Sequence, residues 1–187
     1  MRRLLLVRHA PTAATRATAF PLDEELDDRA RAQAARLADV VPSRGDVLCS
    51  PSLRCVQTAD AAGLAATPEP RVAECDFGSW AGRSLADVHA DEPEAARAWM
   101  TDPSAAPHGG ESLADFSARV RAWLDEQAAQ DGPALVITHG GVVKAAVVHA
   151  MGAPLETFWR VDATPLAVTE LHGHDARWTL TKVNCSA

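Results

Sequence analysis

The sequence has no long apolar run, no basic cluster and no tyrosine. Its longest apolar stretches, such as residues 4–7 and 134–137, are far shorter than the roughly 20 residues of a membrane-spanning helix. It carries 18 Lys and Arg against 25 Asp and Glu, which gives a formal net charge of −7. Nucleic acids and anionic membranes bind to clustered positive charge, which is missing here. We therefore expect a soluble protein that binds neither.

The sequence also lacks the cysteine spacing of a zinc site or a disulfide framework. Its four cysteines are Cys49, Cys55, Cys75 and Cys185. None forms a CxxC pair, so we expect buried, reduced thiols. The apolar segment at residues 4–7 is also too short for the hydrophobic region of a secretion signal. Together these features predict a cytoplasmic location.

Hydrophobic residues make up 47% of the 187 residues, enough for a sizeable core, and the length favours one domain spanning residues 1–187. Short apolar runs alternate with amphipathic helical patterns. Strands are predicted at residues 3–7, 46–50, near Val72, and at 134–138, 166–171 and 178–183. Helices are predicted at 27–40, from 53, from 85, and at 112–130 and 140–151. This alternation predicts a three-layer α/β/α fold, with a mostly parallel central sheet and helices on both faces.

Polar side chains follow several of the predicted strands. Arg8 and His9 follow the first, and Arg54 lies just beyond the second. Glu74 follows the third, and His139 follows the fourth. Ligand-binding groups of open α/β sheets gather at the carboxyl ends of the strands, so we expect these side chains to share one edge. Guanidinium groups match phosphate oxygens and an imidazole can attack phosphorus, so the set predicts phosphoryl chemistry.

Five segments around these residues carry a resemblance to a known family. They are LLVRHAPT at 5–12, SPSLRCVQTA at 50–59, ECDFGSW at 74–80, GGES at 109–112 and THGGV at 138–142. In type and order they resemble the histidine phosphatase superfamily, which includes the cofactor-dependent phosphoglycerate mutases. The resemblance spans nearly the whole chain and implies a phosphoglycerate mutase-like fold.

The resemblance also implies a role for each matching residue. His9 is similar to the nucleophile that becomes a phosphohistidine. Arg8, Arg54 and His139 resemble the clamp on the phosphoryl oxygens. Gly140 starts a helix whose backbone N–H groups would add donors for the anion. These residues are therefore the candidate catalytic and substrate-binding set.

Glu74 resembles the family's acid, which protonates the departing oxygen and then activates water. Asp76 and Glu111 are the alternative candidates for this role. Phosphoryl transfer needs mainly positioning and charge stabilisation, so the set requires neither a metal ion nor another cofactor.

Two positions depart from the family pattern. Ala10 replaces the usual glycine after the histidine, and Ala14 and Thr15 replace a common Trp-Asn pair. Thr15 retains a hydroxyl that would donate to phosphate, so it is included as a candidate substrate-binding residue.

The form of the 74–80 and 109–112 segments resembles the broad-specificity and α-ribazole phosphatase branch. The mutase pattern around a Tyr-Gly pair is absent, which favours hydrolysis of a small phosphorylated metabolite over a mutase reaction. An α/β-hydrolase-type esterase lacks its Gly-x-Ser-x-Gly elbow here. α-Ribazole phosphatase activity, phosphoglycerate mutase activity and a catalytically silent protein that binds phosphorylated ligands or partners remain alternatives.

The remaining histidines are His89, His108, His149, His172 and His174. The first three are interpreted as surface or packing residues. The last two flank a glycine, a spacing found in metal sites, but without further ligands a solvated hairpin is favoured. Trp80 fits either the mouth of the site or the core, and residues 87–107 are predicted to cover the site.

Overall fold

The computed structural model describes residues 1–39, 45–175 and 177–186. One mixed sheet contains the strands β1 (Arg2–Arg8), β2 (Asp46–Cys49), β3 (Thr67–Pro68), β4 (Gly132–Thr138), β5 (Val168–His174) and β6 (Arg177–Cys185). Their order across the sheet is β3-β2-β4-β1-β5-β6. Strands β1 to β4 are parallel to one another, β5 runs antiparallel to its neighbour β1, and β6 runs antiparallel to β5. Both β1 and β4 are nearly continuous apolar runs because helices cover both faces of the sheet.

The helices are α1 (Ala13–Ala17), α2 (Asp28–Ala34), α3 (Leu53–Ala61), α4 (Leu85–Asp91), α5 (Pro93–Thr101), α6 (Leu113–Ala128) and α7 (Gly140–Ala150). Short 3-10 helices lie at Ala35–Asp39, Pro70–Val72, Gly78–Trp80 and Leu155–Arg160. The long helix α6 begins where Ser112 Oγ accepts a hydrogen bond from the Asp115 backbone N–H at 3.0 Å. Within the described ranges, no helix has both the length and the apolar character to cross a membrane.

Two hydrophobic clusters, one on each face of the sheet, define the layers. On one face, Leu4, Leu6 and Val136 pack against α6 and α7. On the other, Val7 and Ile137 pack against α3 and against the 3-10 turn that follows α2. The predicted three-layer α/β/α architecture with a mostly parallel sheet is therefore confirmed.

The strand predicted near Val72 is wrong. Pro70 begins a 3-10 helix there, and the Glu69 side chain accepts from the Arg71 backbone N–H at 3.1 Å. A proline at the first position and an acceptor before it favour a helical turn over a strand. The short third strand lies earlier, at Thr67–Pro68. Glu74 therefore follows a turn and not a strand.

Three smaller expectations also need adjustment. Strand β5 continues to His174, so the final turn lies later than predicted. The predicted end of the 27–40 helix falls partly outside the described residues, and within them the α-helix ends at Ala34. Cys49 and Cys55 are buried as expected, but Cys75 is half-buried and Cys185 is exposed. Cys185 ends the outermost strand, where no helix covers it.

Candidate active site

His9 lies immediately after β1, and its ring nitrogens have different partners. Its backbone N–H donates to Thr138 O at 2.8 Å, which ties it to the end of the neighbouring strand β4. Nδ1 lies 2.7 Å from the Ala10 carbonyl oxygen. A carbonyl only accepts, so Nδ1 carries the hydrogen and Nε2 is left with a free lone pair. The side chain is held in one orientation by its own backbone.

Arg54, in the first turn of α3, contacts both buried histidines. Its Nε donates to His9 Nε2 at 3.2 Å, and its Nη2 lies 3.1 Å from His139 Nδ1. Nη1 donates to the Leu22 carbonyl oxygen at 2.8 Å. A guanidinium group can only donate, so both facing nitrogens are acceptors. The two imidazole rings meet edge to face, with their centroids 5.3 Å apart.

Burial and positive neighbours keep both imidazoles neutral. Burial is the main cause that lowers the pKa of His9 to about 3, and the charges of Arg54 and Arg8 add to it. The same causes, burial first and then Arg54, hold the pKa of His139 well below its usual range. A neutral imidazole with a free Nε2 lone pair is the nucleophilic form of histidine.

His139 lies between the end of β4 and the start of α7 and is completely buried. Its Nε2 lies 2.7 Å from Ser50 Oγ, and Cys55 Sγ lies 3.5 Å from the same nitrogen. Because Nδ1 accepts from Arg54, Nε2 carries the hydrogen and donates to Ser50. Both nitrogens of His139 therefore contact protein groups, and the ring supports Arg54 from behind.

Thr58, which the sequence did not single out, links two segments of the site. Its hydroxyl donates to the Arg54 carbonyl oxygen at 2.7 Å and accepts from the Ala10 backbone N–H at 3.0 Å. The residue after His9 is thereby attached to the helix that carries Arg54. Only the spacing of Arg54 and Thr58, one helical turn apart, pointed to this contact in advance.

Glu74 reaches the start of α7. Its Oε2 accepts from the Gly141 backbone N–H at 3.2 Å, and its Oε1 accepts from the Cys75 N–H at 3.1 Å. A Cβ at residue 141 would lie 2.2 Å from Glu74 Oε1, so only glycine admits the carboxylate this close. The second glycine of the His-Gly-Gly sequence therefore makes room for Glu74.

The backbone around Glu74 is held by two side chains. Arg119 of α6 donates to the carbonyl oxygens of Arg71 at 2.7 Å and Glu74 at 3.3 Å. Thr138 donates to the Val72 carbonyl oxygen at 2.6 Å. These bonds satisfy the backbone of an irregular segment and fix its position beside the end of β4.

The alternative acids, Asp76 and Glu111, have structural partners. Glu111 accepts from Arg119 Nη2 at 2.7 Å and Nε at 2.9 Å. Asp76 accepts from the Gly78 backbone N–H at 2.9 Å, at the start of a turn. Neither lines the cavity described below. Of the three carboxylates, Glu74 alone faces this cavity.

Arg8 presents unpaired donors at the end of β1. Its Nη1 donates to the Ala163 carbonyl oxygen at 2.6 Å, whereas its buried Nε has no hydrogen-bond partner within the described chain. A Cβ at residue 140 would lie 3.3 Å from this Nε. Burial lowers the pKa of Arg8, and the charges of Glu74 and Asp162 oppose that shift. The guanidinium group is therefore available for an anion.

A cavity of about 230 Å³ lies over these groups. Five of the seven predicted site residues line it, namely Arg8, His9, Thr15, Glu74 and Gly140. Arg54 lines an adjoining depression that shares Glu74 with the cavity, and His139 lies behind both. The opposite side is an aromatic wall formed by Phe20, Phe77, Trp99, Phe158 and Trp159. The cavity is thus polar on the side of the strand ends and apolar across from it.

Trp80 belongs to the core and does not line the cavity. It is fully buried, its Nε1 donates to Glu92 at 3.1 Å, and its ring packs against Phe20 and Trp99. It therefore supports the aromatic wall from behind. His108 is a packing residue in the same cluster, as expected. Of the predicted cover at residues 87–107, Trp99 reaches the cavity.

Thr15 lies in α1 and lines the cavity together with Thr12. Thr12 caps this helix by accepting from the Thr15 backbone N–H at 3.2 Å, and the two hydroxyl oxygens are 3.1 Å apart. Because the Thr12 hydroxyl donates to Glu24 Oε1 at 2.7 Å, the Thr15 hydroxyl is the donor to Thr12.

The two histidines at the end of β5 do not assemble a metal site. His172 Nε2 lies 2.7 Å from Glu170 Oε1. In the part of the chain that the structure describes, no group of three or more His, Cys, Asp or Glu side chains is arranged to hold a metal ion.

Comparison with known proteins agrees with this geometry. A sequence model of the histidine phosphatase superfamily (branch 1) matches residues 4–186. The glucosyl-3-phosphoglycerate phosphatase of Mycobacterium tuberculosis is 32% identical over 100% of this chain and 96% of its own length. Phosphoserine phosphatase 1 of Hydrogenobacter thermophilus is 29% identical over 98% of this chain and 92% of its own. The crystal structure of the α-ribazole phosphatase from Shigella flexneri superposes with a TM-score of 0.84 at 25% identity, covering 99% of this chain and 98% of that one.

Proposed function

The chain belongs to branch 1 of the histidine phosphatase superfamily, and from that premise we propose that it hydrolyses small phosphomonoesters through a phosphohistidine on His9. The observation that carries the proposal is the state of the His9 ring. Its Nδ1–H is bound to Ala10 O, and its Nε2 lone pair faces Arg54 beside the cavity. An imidazole so fixed needs no deprotonation to become a nucleophile; only its hydrogen bond from Arg54 must be exchanged.

In the first half-reaction, His9 Nε2 attacks phosphorus in line with the ester oxygen. The N–P bond forms as the P–O bond to the leaving group breaks. Glu74, beside the start of α7 on the same side of the cavity, gives its proton to the departing oxygen, so the product leaves as a neutral alcohol. Arg8 and Arg54 hold the non-bridging oxygens while charge builds on them.

In the second half-reaction, Glu74 takes a proton from water. The resulting oxygen nucleophile attacks phosphorus, the N–P bond breaks, and inorganic phosphate leaves. His9 regains its lone pair and Glu74 is protonated again, so the cycle closes with one ester and one water consumed. One carboxyl group serves both steps because its hydrogen bond from Gly141 holds it against the same cavity.

We assign His139 to the clamp through its bond with Arg54. A phosphoryl oxygen replaces His9 Nε2 as the partner of Arg54 Nε when the nucleophile turns to phosphorus. Ser50, 2.7 Å from His139 Nε2, has a hydroxyl that can donate as well as accept. Once Arg54 Nη2 turns from His139 Nδ1 to the anion, Ser50 can donate to Nε2, so that His139 changes tautomer and donates from Nδ1 to the same phosphoryl group. The N-terminus of α7 at Gly140 adds further donors, as does the Thr15 hydroxyl when it turns from Thr12 to the anion.

The proposal includes metal-independent catalysis and a cytoplasmic location. Two guanidinium groups and the start of a helix supply the positive field that a divalent cation supplies in other phosphoryl-transfer sites. The four free thiols support a reducing compartment.

Hydrolysis is preferred to the mutase reaction because that reaction must keep its phosphorylated intermediate away from water. Here Glu74 lines both the cavity and an adjoining surface depression, so solvent can approach the carboxylate. The compounds named for the relatives, glucosyl-3-phosphoglycerate, phosphoserine and α-ribazole phosphate, are the first candidates for this chain's substrate.

The test is hydrolysis of these esters, of 3-phosphoglycerate and of p-nitrophenyl phosphate with EDTA present. Acid-labile phosphate on the protein is followed in parallel. We expect release by the wild type and loss of both release and labelling in His9→Ala. His89→Ala, which removes an exposed histidine, is the control and should behave as wild type.

Turnover by folded His9→Ala would reject the assignment of His9 as the nucleophile. Binding without any turnover of the panel would favour the catalytically silent alternative, and phosphate transfer between glycerate positions would favour the mutase.

A further inference from the structure

Lys144 is a charged residue in an otherwise apolar helix. It lies in α7, three residues after Gly141, and residues 142–148 are apolar apart from it. Residues three and four apart share a helix face, so Lys144 lies one turn, about 5.4 Å, beyond the glycine turn on the cavity side. It lines the cavity together with Phe158, Trp159 and Asp162. A cation therefore lies beside the aromatic wall, in the same cavity as Arg8 and Glu74.

The ammonium group of Lys144 has no ion-pair partner. Among the described residues, no carboxylate oxygen lies within 4 Å of Nζ, which instead lies 5.5 Å from the Phe158 ring centroid. Burial lowers the pKa of Lys144, and the charge of Asp162 opposes that shift. A half-buried ammonium without a carboxylate partner gains most from an anion brought by a ligand.

We propose that Lys144 is a second anion subsite, which binds a carboxylate on the leaving group, so that preferred substrates are phosphate esters of hydroxy acids. The proposal rests on the proposed phosphatase function and specifies its substrate class. The phosphoryl group lies against Arg8 and His9, and the carboxylate lies one helical turn away against Lys144. Recognition at two points selects three-carbon acids in which both groups lie close together.

Charge balance favours a carboxylate over a second phosphate. Lys144 contributes one positive charge to its part of the cavity. Burial lowers its pKa, Asp162 and Glu74 raise it, and Arg8, whose guanidinium group is engaged by the phosphoryl group in the proposed reaction, lowers it. A monoanionic carboxylate is matched by one ammonium group. A dianionic phosphate would leave one charge unpaired opposite two carboxylates.

Three esters with the same carbon skeleton separate these cases. 3-Phosphoglycerate carries a carboxylate, glycerol 3-phosphate carries a hydroxymethyl group in its place, and glycerol 1,3-bisphosphate carries a second phosphate. Lys144→Met keeps the apolar stem over Phe158 and removes the charge, whereas Lys144→Arg keeps the charge. Lys182→Met removes the other lysine, on β6, and is the matched control.

We expect the wild type to prefer 3-phosphoglycerate over glycerol 3-phosphate by about 10-fold or more in kcat/KM, mainly through KM. Lys144→Met should lose this preference while glycerol 3-phosphate and p-nitrophenyl phosphate turn over within about 2-fold of wild type. Lys144→Arg should retain part of it, and Lys182→Met all of it.

Each contrary result has a separate meaning. Equal use of the acid and the alcohol by the wild type would overturn the subsite, as would an equal loss on all esters in folded Lys144→Met. A preference for the bisphosphate would replace the carboxylate with phosphate. If p-nitrophenyl phosphate is still hydrolysed in a His9-dependent manner, the proposed function stands while the subsite fails. If no ester is hydrolysed, the proposed function itself has failed.

Discussion

The two sides of the cavity are built in different ways. On the phosphoryl side, His9, Arg54 and His139 lie at strand ends or in the first turn of a helix, and each is nine-tenths or more buried. Their nitrogens are bound to one another and to backbone carbonyls. On the other side, the aromatic wall comes from loops, a short helix and a 3-10 turn, and its members meet ring to ring.

This difference suggests that one side of the cavity carries out phosphoryl transfer and the other side determines substrate selectivity. In the proposed reaction, the phosphoryl side would contact the part that every phosphomonoester shares, and its groups are fixed by hydrogen bonds within the protein. The aromatic wall and Lys144 would contact only the part that differs between esters. Substitutions on the phosphoryl side should therefore affect all substrates, and substitutions across the cavity should change the order in which substrates are preferred.

Glu74 lies on the phosphoryl side but acts on the leaving group, so it tests the division most sharply. Glu74→Gln should slow esters of poor leaving groups by roughly 10²- to 10⁴-fold, because proton donation to the departing oxygen is lost. p-Nitrophenyl phosphate should lose far less, since its leaving group needs little protonation. The measurement is kcat/KM across leaving groups of rising pKa. A uniform loss, or the same pattern in Asp76→Asn, would reassign the acid.

Gly141 tests whether the position of Glu74 matters apart from its charge. The Cβ of Gly141→Ala would lie 2.2 Å from Glu74 Oε1, so the carboxylate must move. We expect turnover to fall about 100-fold, as displacements of about 1 Å do elsewhere.

The control is thermal stability, since alanine favours a helix over glycine by about 1 kcal/mol. An unfolded variant would indicate a packing defect. A stable variant with wild-type activity would contradict the positioning. Gly140→Ala, with 3.3 Å between its Cβ and Arg8 Nε, should lose less activity.

The buried neutral state of His9 predicts a pH dependence of stability. The folded protein keeps His9 neutral down to about pH 3, whereas the unfolded chain protonates it near its ordinary value of 6.5. Between these values the unfolded state binds the extra proton. The free energy of unfolding therefore falls as the pH is lowered, by about 1.4 kcal/mol per pH unit for one proton.

The free energy of unfolding, measured with urea between pH 6 and 4.5, should depend less steeply on pH in His9→Gln than in the wild type. The difference should correspond to the uptake of one proton. Glu170, whose pKa Arg3 lowers from 4.5 to about 2, begins to lose its contribution at the lower end of this range, but equally in both proteins, so the difference between their slopes reports His9. Near pH 8, where His9 is neutral in both the folded and the unfolded state, the difference in free energy of unfolding between the two proteins should not change with pH. An unchanged slope in the variant would mean that His9 takes up its proton in the folded state.

Trp99 provides the smallest expected effect, on the aromatic wall. It packs against Trp159 and Phe20 with centroids 4.7 and 5.5 Å away. Trp99→Leu should raise KM by about 2- to 10-fold for esters with large leaving groups and leave kcat for methyl phosphate nearly unchanged. Trp178→Leu, a tryptophan outside the cavity lining, is the control. A loss of kcat on every ester would mean that Trp99 affects the phosphoryl-transfer step, and would contradict the separation between the two sides of the cavity.

The phosphoryl side was largely predictable because its residues follow apolar runs. Arg8-His9 after β1, Arg54 after β2 and His139 after β4 all reach one edge through parallel pairing. Glu74 was predicted for a different reason than the one observed. The expected strand at Val72 is a 3-10 turn, and hydrogen bonds from Arg119 and Thr138 bring Glu74 to the same edge.

The aromatic wall and Lys144 were not predicted. Lys144 interrupts an apolar run in the sequence, and the pattern alone does not tell a cavity residue from a lysine that reaches solvent. Trp80 and Trp99 are equally aromatic, yet one is buried behind the wall and the other lines it. Which of them faces the cavity depends on how residues 77–108 pack against the chain near Phe20.

The sequence by itself determined the layered architecture, the edge of the sheet at which the candidate residues meet and the residues proposed to bind phosphate. These depend on local periodicity and on the parallel direction of strands, which the order of residues encodes directly. Only the tertiary structure decided how Glu74 is held, which hydroxyls support the clamp and what faces the leaving group. Those contacts join residues far apart in the chain, and each depends on a packing geometry that no single segment specifies.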